Sequence, residues 1–216
     1  MSKSNTSMNR IFICMNFVFS TFRVNSQLFE GKVIYNVSFK SRMTDVTSEQ
    51  WKSMIGTRQD YFIKNGSYKT ITNGTLLQWQ LYVNSENHLY NKMSNAEDLQ
   101  WNDAAINPDS VLKSEVKGKV TVISGYSCDE RILTCKSGEQ HYFFSSKLPV
   151  DPKWFTRHQF GNWYAHVSIA KAIPIKVVVT YEQFEMVQTV VEIKPGKLSD
   201  NVFSLPAGAK SEKSTE

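Results

Sequence analysis

The chain has 216 residues, a length sufficient for one domain with a substantial core. Hydrophobic residues make up 41% and charged residues 21%, as in ordinary globular proteins, while aromatic residues reach 12% and favour β-structure. The formal net charge is +5, but Lys3, Arg10 and Arg23 all precede Gln27, and removal of those three charges leaves +2. The remaining lysines and arginines form no run, which argues against nucleic acid as a partner.

Residues 1–26 have the pattern of an export signal. Arg10 supplies a positive charge, residues 11–22 form a largely apolar run, and the residues just before Gln27 match a cleavage site. Arg23 interrupts the run too early for a typical membrane anchor. We expect a signal peptide over 1–26, a periplasmic or secreted protein, and no membrane span after cleavage. The alternatives are an uncleaved anchor and a buried N-terminal helix.

A clean alternation of apolar and polar residues predicts the first strand, GKVIYNVSFKS, at residues 31–41. One face of this strand carries Val33, Tyr35, Val37 and Phe39. The next segment breaks the alternation, and Thr47 or Ser48 can cap a short helix that ends at Gly56.

Two Asn-Gly pairs, Asn65-Gly66 and Asn73-Gly74, predict hairpin turns in a meander of antiparallel strands. The strand TLLQWQLYV after the second pair alternates again. Its apolar face carries Leu77, Trp79, Leu81 and Val83.

The second half of the chain is expected to contain a loop with short helical turns, several more strands and one short helix. Residues 94–114 are polar and irregular, which predicts a loop with short helical turns. Strands resume at residue 118 and continue to 195, interrupted by an aromatic crossover segment with one short helix. We therefore predict a mainly β protein with a single domain over 27–209 and a disordered tail over 210–216.

The stretch GYSCDERILTC contains Cys128 and Cys135. In an exported protein, two such cysteines are first suspected of forming a disulfide. The turn signal that follows at Lys136–Glu139 instead makes them parts of one strand, about 23 Å apart and too far to bond. The strand is favoured, and a disulfide between Cys128 and Cys135 stays open as the alternative. A metal site is the weakest option, because only His141 offers a further ligand.

Catalytic motifs are missing from the sequence. The histidines have no spacing typical of a metal site or a catalytic triad, and no Gly-x-Ser-x-Gly elbow occurs. We therefore expect no enzyme, no metal and no cofactor.

The apolar strand faces suggest a site of another kind. They form either a core under a helix or second sheet, or a hydrophobic groove on a curved sheet that holds acyl chains. As the lining of such a groove we select the two alternating sets, Val33, Tyr35, Val37, Phe39, Leu77, Trp79, Leu81 and Val83.

Five further segments are distinctive, in the order FEGKVIYNVSF, ISGYSC, HYFFSSKLPVDP, AIPIKVVVTYE and DNVFSLPAGAK. Together they resemble a family of exported proteins of Gram-negative bacteria, the GLPGLI type and relatives of the lipoprotein carrier LolA. The letters GLPGLI are absent, and KAIPIK stands in their place. The resemblance implies a curved antiparallel sheet, a half-barrel covered by short helices and loops, with acyl chains held on its concave side. It implies no catalytic residue.

Taken together, these observations predict a non-enzymatic periplasmic protein that binds or carries a lipid or an acyl chain, including that of a lipoprotein. The alternative is a structural or interaction module of the cell envelope that has a protein partner and no small ligand. An unrecognised hydrolase is the least favoured option.

Overall fold

The computed structural model describes residues 27–214, and the predicted signal peptide lies outside them. The strands are β1 (Gly31–Ser41), β2 (Arg58–Lys64), β3 (Ser67–Thr72), β4 (Leu77–Val83), β5 (His88–Met93), β6 (Leu99–Asp103), β7 (Val111–Ile123), β8 (Tyr126–Cys135), β9 (Gly138–Pro149), β10 (Ala172–Thr180), β11 (Phe184–Pro195) and β12 (Ser211–Lys213). The helices are α1 (Ser48–Ile55) and α2 (Trp163–Ala170), with 3₁₀ turns at Pro152–Phe155, Phe160–Asn162 and Asp200–Phe203.

These strands pair into one open, curved sheet in the order β12-β6-β5-β4-β3-β2-β1-β11-β10-β9-β8-β7. Strand β1 lies between β2 and β11, so the first strand of the chain joins the meander β2–β6 to the meander β7–β11. Every pairing between described strands is antiparallel except that of β12 with β6. The predicted fold class, mainly β with a curved antiparallel sheet and few helices, is confirmed.

Local signals in the sequence determine the elements near β1. Thr47 caps α1, its hydroxyl accepting from the Gln50 amide while the Gln50 side chain accepts from the Thr47 amide, and the helix ends at Gly56 as predicted. Asn65 and Gly66 both have positive φ and form the tight turn expected between β2 and β3.

The second Asn-Gly pair also lies in a hairpin connection, between the antiparallel strands β3 and β4, but this connection is the longer segment 73–76. The Asn73 side-chain oxygen accepts from the backbone amides of Thr57 and Arg58, at 2.8 and 2.9 Å. Gly74 lies against Ile55, where a Cβ atom would approach the Ile55 backbone to 2.5 Å. This pair therefore holds the connection between β3 and β4 against the end of α1.

We call the sheet face that carries α1, α2 and the turns at 152–162 the inner face, and the opposite one the outer face. Two buried histidines connect the covering segments to the inner face. Nε2 of His158 lies 2.7 Å from the Tyr68 hydroxyl, and the ring centroids of His166 and Tyr142 are 4.3 Å apart. His166 Nε2 also donates to the Ala172 carbonyl at 3.2 Å.

The C-terminal segment crosses the outer face. Lys64 on β2 donates to the Leu198 carbonyl at 2.7 Å and forms an ion pair with Asp200 at 2.8 Å. The chain then reaches the far edge of the sheet, where Ser211–Lys213 pair with β6. A disordered tail is predicted over 210–216, and within it Ser211–Lys213 form β12, because the edge of β6 offers hydrogen bonds to this polar segment. Residues 215 and 216 lie outside the described residues.

Residues 94–114 also differ from the expected loop, since they contain all of β6 and the start of β7. Both strands lie near a sheet edge, and neither shows a strict apolar alternation. The aromatic crossover segment does carry the one expected α-helix, α2. Within residues 27–214, neither helix is long and apolar enough to cross a membrane.

Cys128 and Cys135 belong to one strand, β8, as the turn signal predicted. Strand β9 begins at Gly138, so the chain turns at Lys136 and Ser137. Both thiols are free and buried, with exposures of 0% and 4%. In this structure the alternative of a disulfide is therefore not realised.

A thiol count tests this arrangement on the chain that begins at Gln27. Burial raises the pKa of both thiols, to about 11 for Cys135, where Asp109 adds to the effect. Because the thiolate is the reactive form, we expect almost no reaction with a thiol reagent at pH 8 in the native protein. In denaturant we expect two thiols for each chain. A monomer without free thiols in denaturant would contradict the assignment of β8.

Acidification should destabilise the fold through His158 and His166. Burial lowers the pKa of both imidazoles from 6.5 to about 3. Between these values the unfolded chain binds protons that the folded chain does not, so the free energy of unfolding falls as the pH falls from about 6.5 to about 3. For each histidine we expect a loss of about 2 kcal/mol between pH 7 and pH 5, measured by urea denaturation.

The variant His166→Gln keeps a donor for the Ala172 carbonyl but no longer titrates, so it should show about half of this pH dependence. His158→Gln removes the other buried imidazole and should also show about half of this pH dependence. Equal stability of the unmodified protein at pH 5 and pH 7 would show that the two buried imidazoles are not held neutral.

Candidate functional site

Two adjoining cavities lie between the inner face of the sheet and helix α1. The first has a volume of about 590 Å³ and the second a volume of about 310 Å³. Ile55, Leu77 and Gln80 line both cavities, so the cavities meet at these three side chains. We call the two cavities together the groove.

Helix α1 forms the cover of the first cavity. Trp51, Met54 and Ile55 line this cavity from the helix, and the Trp51 ring centroid lies 4.6 Å from that of Phe184 on β11. The backbone amide of Leu76 donates to the Met54 carbonyl at 3.0 Å. The helix is therefore held at both sides of the sheet, by ring packing at β11 and by the loop that leads into β4.

Aromatic side chains form much of the second cavity. Its lining includes Tyr35, Tyr61, Tyr142 and Trp163, so the wall comes from β1, β2, β9 and α2. Burial raises the pKa of Tyr35, Tyr61 and Tyr142, and these phenols stay neutral at any physiological pH. They offer apolar ring surface and uncharged hydroxyls.

Half-buried amide side chains form the floor of the first cavity. Gln80 on β4, Asn91 on β5 and Gln100 on β6 are direct neighbours across the sheet, because their backbones pair in register. Nε2 of Gln80 donates to Oδ1 of Asn91 at 2.8 Å, and Nδ2 of Asn91 donates to Oδ1 of Asn102 at 3.0 Å. We call Gln80, Asn91, Gln100 and Asn102 the amide row.

Charged side chains are few around the groove. Asp103 and Lys213, of opposite sign, line the first cavity, and the described lining of the second cavity contains no charged residue. Among residues 27–214, no group of three or more metal-ligating side chains comes together. The arrangement is thus suited to hold an uncharged or apolar molecule.

Of the eight residues predicted to line a ligand groove, the structure places Tyr35 and Leu77 along these cavities. Val33, Val37 and Phe39 occupy alternate positions with Tyr35 on β1, but they are packed in the core with exposures of 0%, 4% and 6%.

Trp79, Leu81 and Val83 lie on the outer face instead. The partners of Trp79 and Leu81 on β3 are Ile71 and Lys69, and Lys69 Nζ lies 4.8 Å from the Trp79 ring centroid. The cause is a register shift in β4 between Leu77 and Trp79. An extra residue in a strand reverses the facing of everything after it, so Gln80 and not Trp79 shares the inner face with Leu77.

Sequence reasoning missed the amide row and the covering role of α1. The only available signal for the row was the run of amides at alternate or neighbouring positions in the strands β4, β5 and β6. Such amides usually indicate a solvated strand face, and nothing in the sequence shows that α1 covers them.

A larger concavity of about 960 Å³ lies elsewhere, between the start of β1 and the β7–β8 hairpin. Its lining includes Gln27, the first described residue, and several charged side chains, among them Glu30, Lys119, Asp129 and Lys197. This mixed, charged lining resembles ordinary protein surface, so we place the candidate site in the groove.

Comparison with solved structures and with family models gives matches of both kinds. A solved structure of a LolA superfamily protein from Nitrosomonas europaea is similar to this chain, with 10% sequence identity and a TM-score of 0.37. That match covers 83% of this chain and 91% of the other. No curated protein matches this chain.

A family model also matches this chain, over residues 67–209. The matched region runs from β3 through the last 3₁₀ turn and includes the floor of the groove. Because it spans more than half of the chain, the protein belongs to the family described as "Domain of unknown function (DUF4412)".

Proposed function

We propose that this protein binds an apolar ligand, a lipid or an acyl chain, in the groove, and that it does so without catalysing a reaction. The observation that carries the proposal is the pair of joined cavities beneath α1. Their volumes of about 590 and 310 Å³ fall in the range typical of small-molecule sites. Their lining combines apolar and aromatic walls with a few grouped polar side chains, which is the usual composition of such sites.

The polar groups near the groove favour binding over catalysis. Catalytic acids and bases usually have a pKa close to neutrality and reach the reacting molecule. Here burial raises the pKa of the tyrosines that line the groove and keeps them protonated. Burial lowers the pKa of His158 and His166, which stay neutral inside the core. These groups support packing and hydrogen bonding. None of them is suited to donate or accept a proton near neutral pH.

The export pattern of residues 1–26 supports a periplasmic location for this activity. The segments ISGYSC and DNVFSLPAGAK support the further proposal of a relationship to the GLPGLI type and to lipoprotein carriers. In that setting the ligand is a membrane lipid or the acyl chain of a lipoprotein. Burial of the chain in the groove, away from water, then contributes about 0.8 kcal/mol of binding free energy for each methylene.

A series of 1-monoacylglycerols, from octanoyl to myristoyl, tests the groove on the chain that begins at Gln27. We expect the affinity to rise up to about fourfold with each added methylene, until the groove is filled. Displacement of a fluorescent lipid analogue gives the dissociation constants. Absence of saturable binding for every member of the series would overturn the proposed function.

Variants locate the binding site. Leu77→Trp fills the junction of the two cavities and should weaken binding at least about tenfold, because the larger ring takes the space of the ligand. The matched control Leu112→Trp lies on β7, where Leu112 is 67% exposed, and should leave the affinity unchanged. Ile106→Trp, at a 55% exposed position of the lining, provides a second blocking variant if Leu77→Trp folds poorly. Equal affinity in all three variants would place the ligand elsewhere.

Strand β7 is the observation that favours the alternative, an interaction module of the envelope. It lies at one edge of the sheet and exposes Leu112 and Val122 to 67% and 68%. An edge strand with exposed apolar side chains is suited to pairing with another chain. If the protein purified from its own periplasm repeatedly shows a ligand-free mass by native mass spectrometry, this alternative becomes the better explanation.

A further inference from the structure

The amide row crosses three neighbouring strands on the floor of the first cavity. Its four side chains, Gln80, Asn91, Gln100 and Asn102, are half-buried and all line that cavity. The row also meets the second cavity, because Gln80 lines both. Any molecule that extends through the groove therefore passes over it.

The row has hydrogen-bonding capacity left after its internal contacts. A primary amide carries two N–H donors and an oxygen that accepts two hydrogen bonds. The bonds from Gln80 to Asn91 and from Asn91 to Asn102 each use one hydrogen of the donating group. The remaining hydrogens and lone pairs supply donors and acceptors side by side, so the row can bind a group that accepts, donates or does both.

The surroundings of the row disfavour a charged partner. The second cavity is lined by neutral side chains, and the two charged residues of the first cavity oppose each other in sign. Asp103 is also engaged locally, since its Oδ1 accepts from the Ala105 amide at 2.9 Å. Lys213 Nζ lies 5.7 Å from the centroid of the Trp101 ring. A charged group moved from water to this site would lose hydration without gaining a dedicated counter-ion.

We propose that the amide row is the subsite for an uncharged polar head group, of the ester, amide or hydroxyl class, whose apolar chain occupies the rest of the groove. This inference rests on the proposed function and specifies its ligand. The apolar chain provides affinity through burial under α1, and the row provides selectivity for the head group. Free fatty-acid anions and cationic lipids are disfavoured, while glycerol esters and N-acyl groups fit.

The test compares three probes with the same myristoyl or tetradecyl chain at pH 8, where their charges differ. They are 1-monomyristoylglycerol, which is neutral, myristate, an anion, and tetradecyltrimethylammonium, a cation. We expect the neutral glycerol ester to bind at least about tenfold more tightly than either ion. Each dissociation constant is measured below the aggregation concentration of the probe by displacement of the same fluorescent analogue.

Asn91→Leu removes the centre of the row with little change in side-chain volume. It should weaken binding of the glycerol ester about tenfold and bring its affinity close to that of myristate. The matched control Asn36→Leu, at an exposed position on β1, should leave all three affinities unchanged. The thermal unfolding of both variants confirms that they are folded, and Asn102→Leu serves in the same role if Asn91→Leu is not.

The outcomes separate the two proposals. Tighter binding of myristate than of the ester would overturn the head-group assignment. Loss of that tighter myristate binding in Lys213→Gln would identify Lys213 as the counter-ion. Equal binding of all three probes, still sensitive to Leu77→Trp, would overturn the assignment but leave the groove as a lipid site. Failure of every probe to bind would overturn the proposed function together with the inference.

Discussion

The pairing of β1 with both of its neighbours is the contact on which the rest of the structure depends. Residues Gly31–Ser41 pair with β11 along their whole length, and Gly31–Asn36 also pair with β2. Without this strand the sheet would separate into two meanders, each with an additional free edge. Val33 and Tyr35 are buried on the inner face where the meanders meet, and the Tyr35 hydroxyl donates to the Pro174 carbonyl at 2.8 Å. Strand β1 therefore joins the two sides of the groove in one continuous sheet.

A single irregularity in β4 then gives the groove its chemical character. The register shift after Leu77 turns Trp79 outward and Gln80 inward, so the floor becomes polar while α1 and the aromatic wall remain apolar. A regular strand would have placed Trp79 and Leu81 on the floor and produced a solid apolar core. Because of the bulge, this region is a groove with a polar floor and not an ordinary apolar core. The side chains where the two cavities meet carry no charge.

The predictable part of this fold is the part encoded locally. The alternation in β1, the Thr47 cap of α1, the Asn65-Gly66 turn and the turn after Cys135 each act within a few residues, and each is present as expected. The facing of β4, the strand β6 and the pairing of Ser211–Lys213 depend on partners far along the chain. The groove belongs to this second group, since its cover, floor and wall come from separate elements. Periodicity in one strand cannot reveal which residues of another strand or helix will lie opposite.

The short parallel strand β12 has a practical consequence for handling the protein. Lys213 and Ser214, at the end of the described residues, line the first cavity. An affinity tag or fluorescent reporter placed directly after Ser214 would therefore start beside this cavity, where it competes with a ligand. Attachment ahead of Gln27 puts the added sequence at the other, charged concavity and leaves the groove open. The position of a fusion thus becomes an experimental variable in its own right.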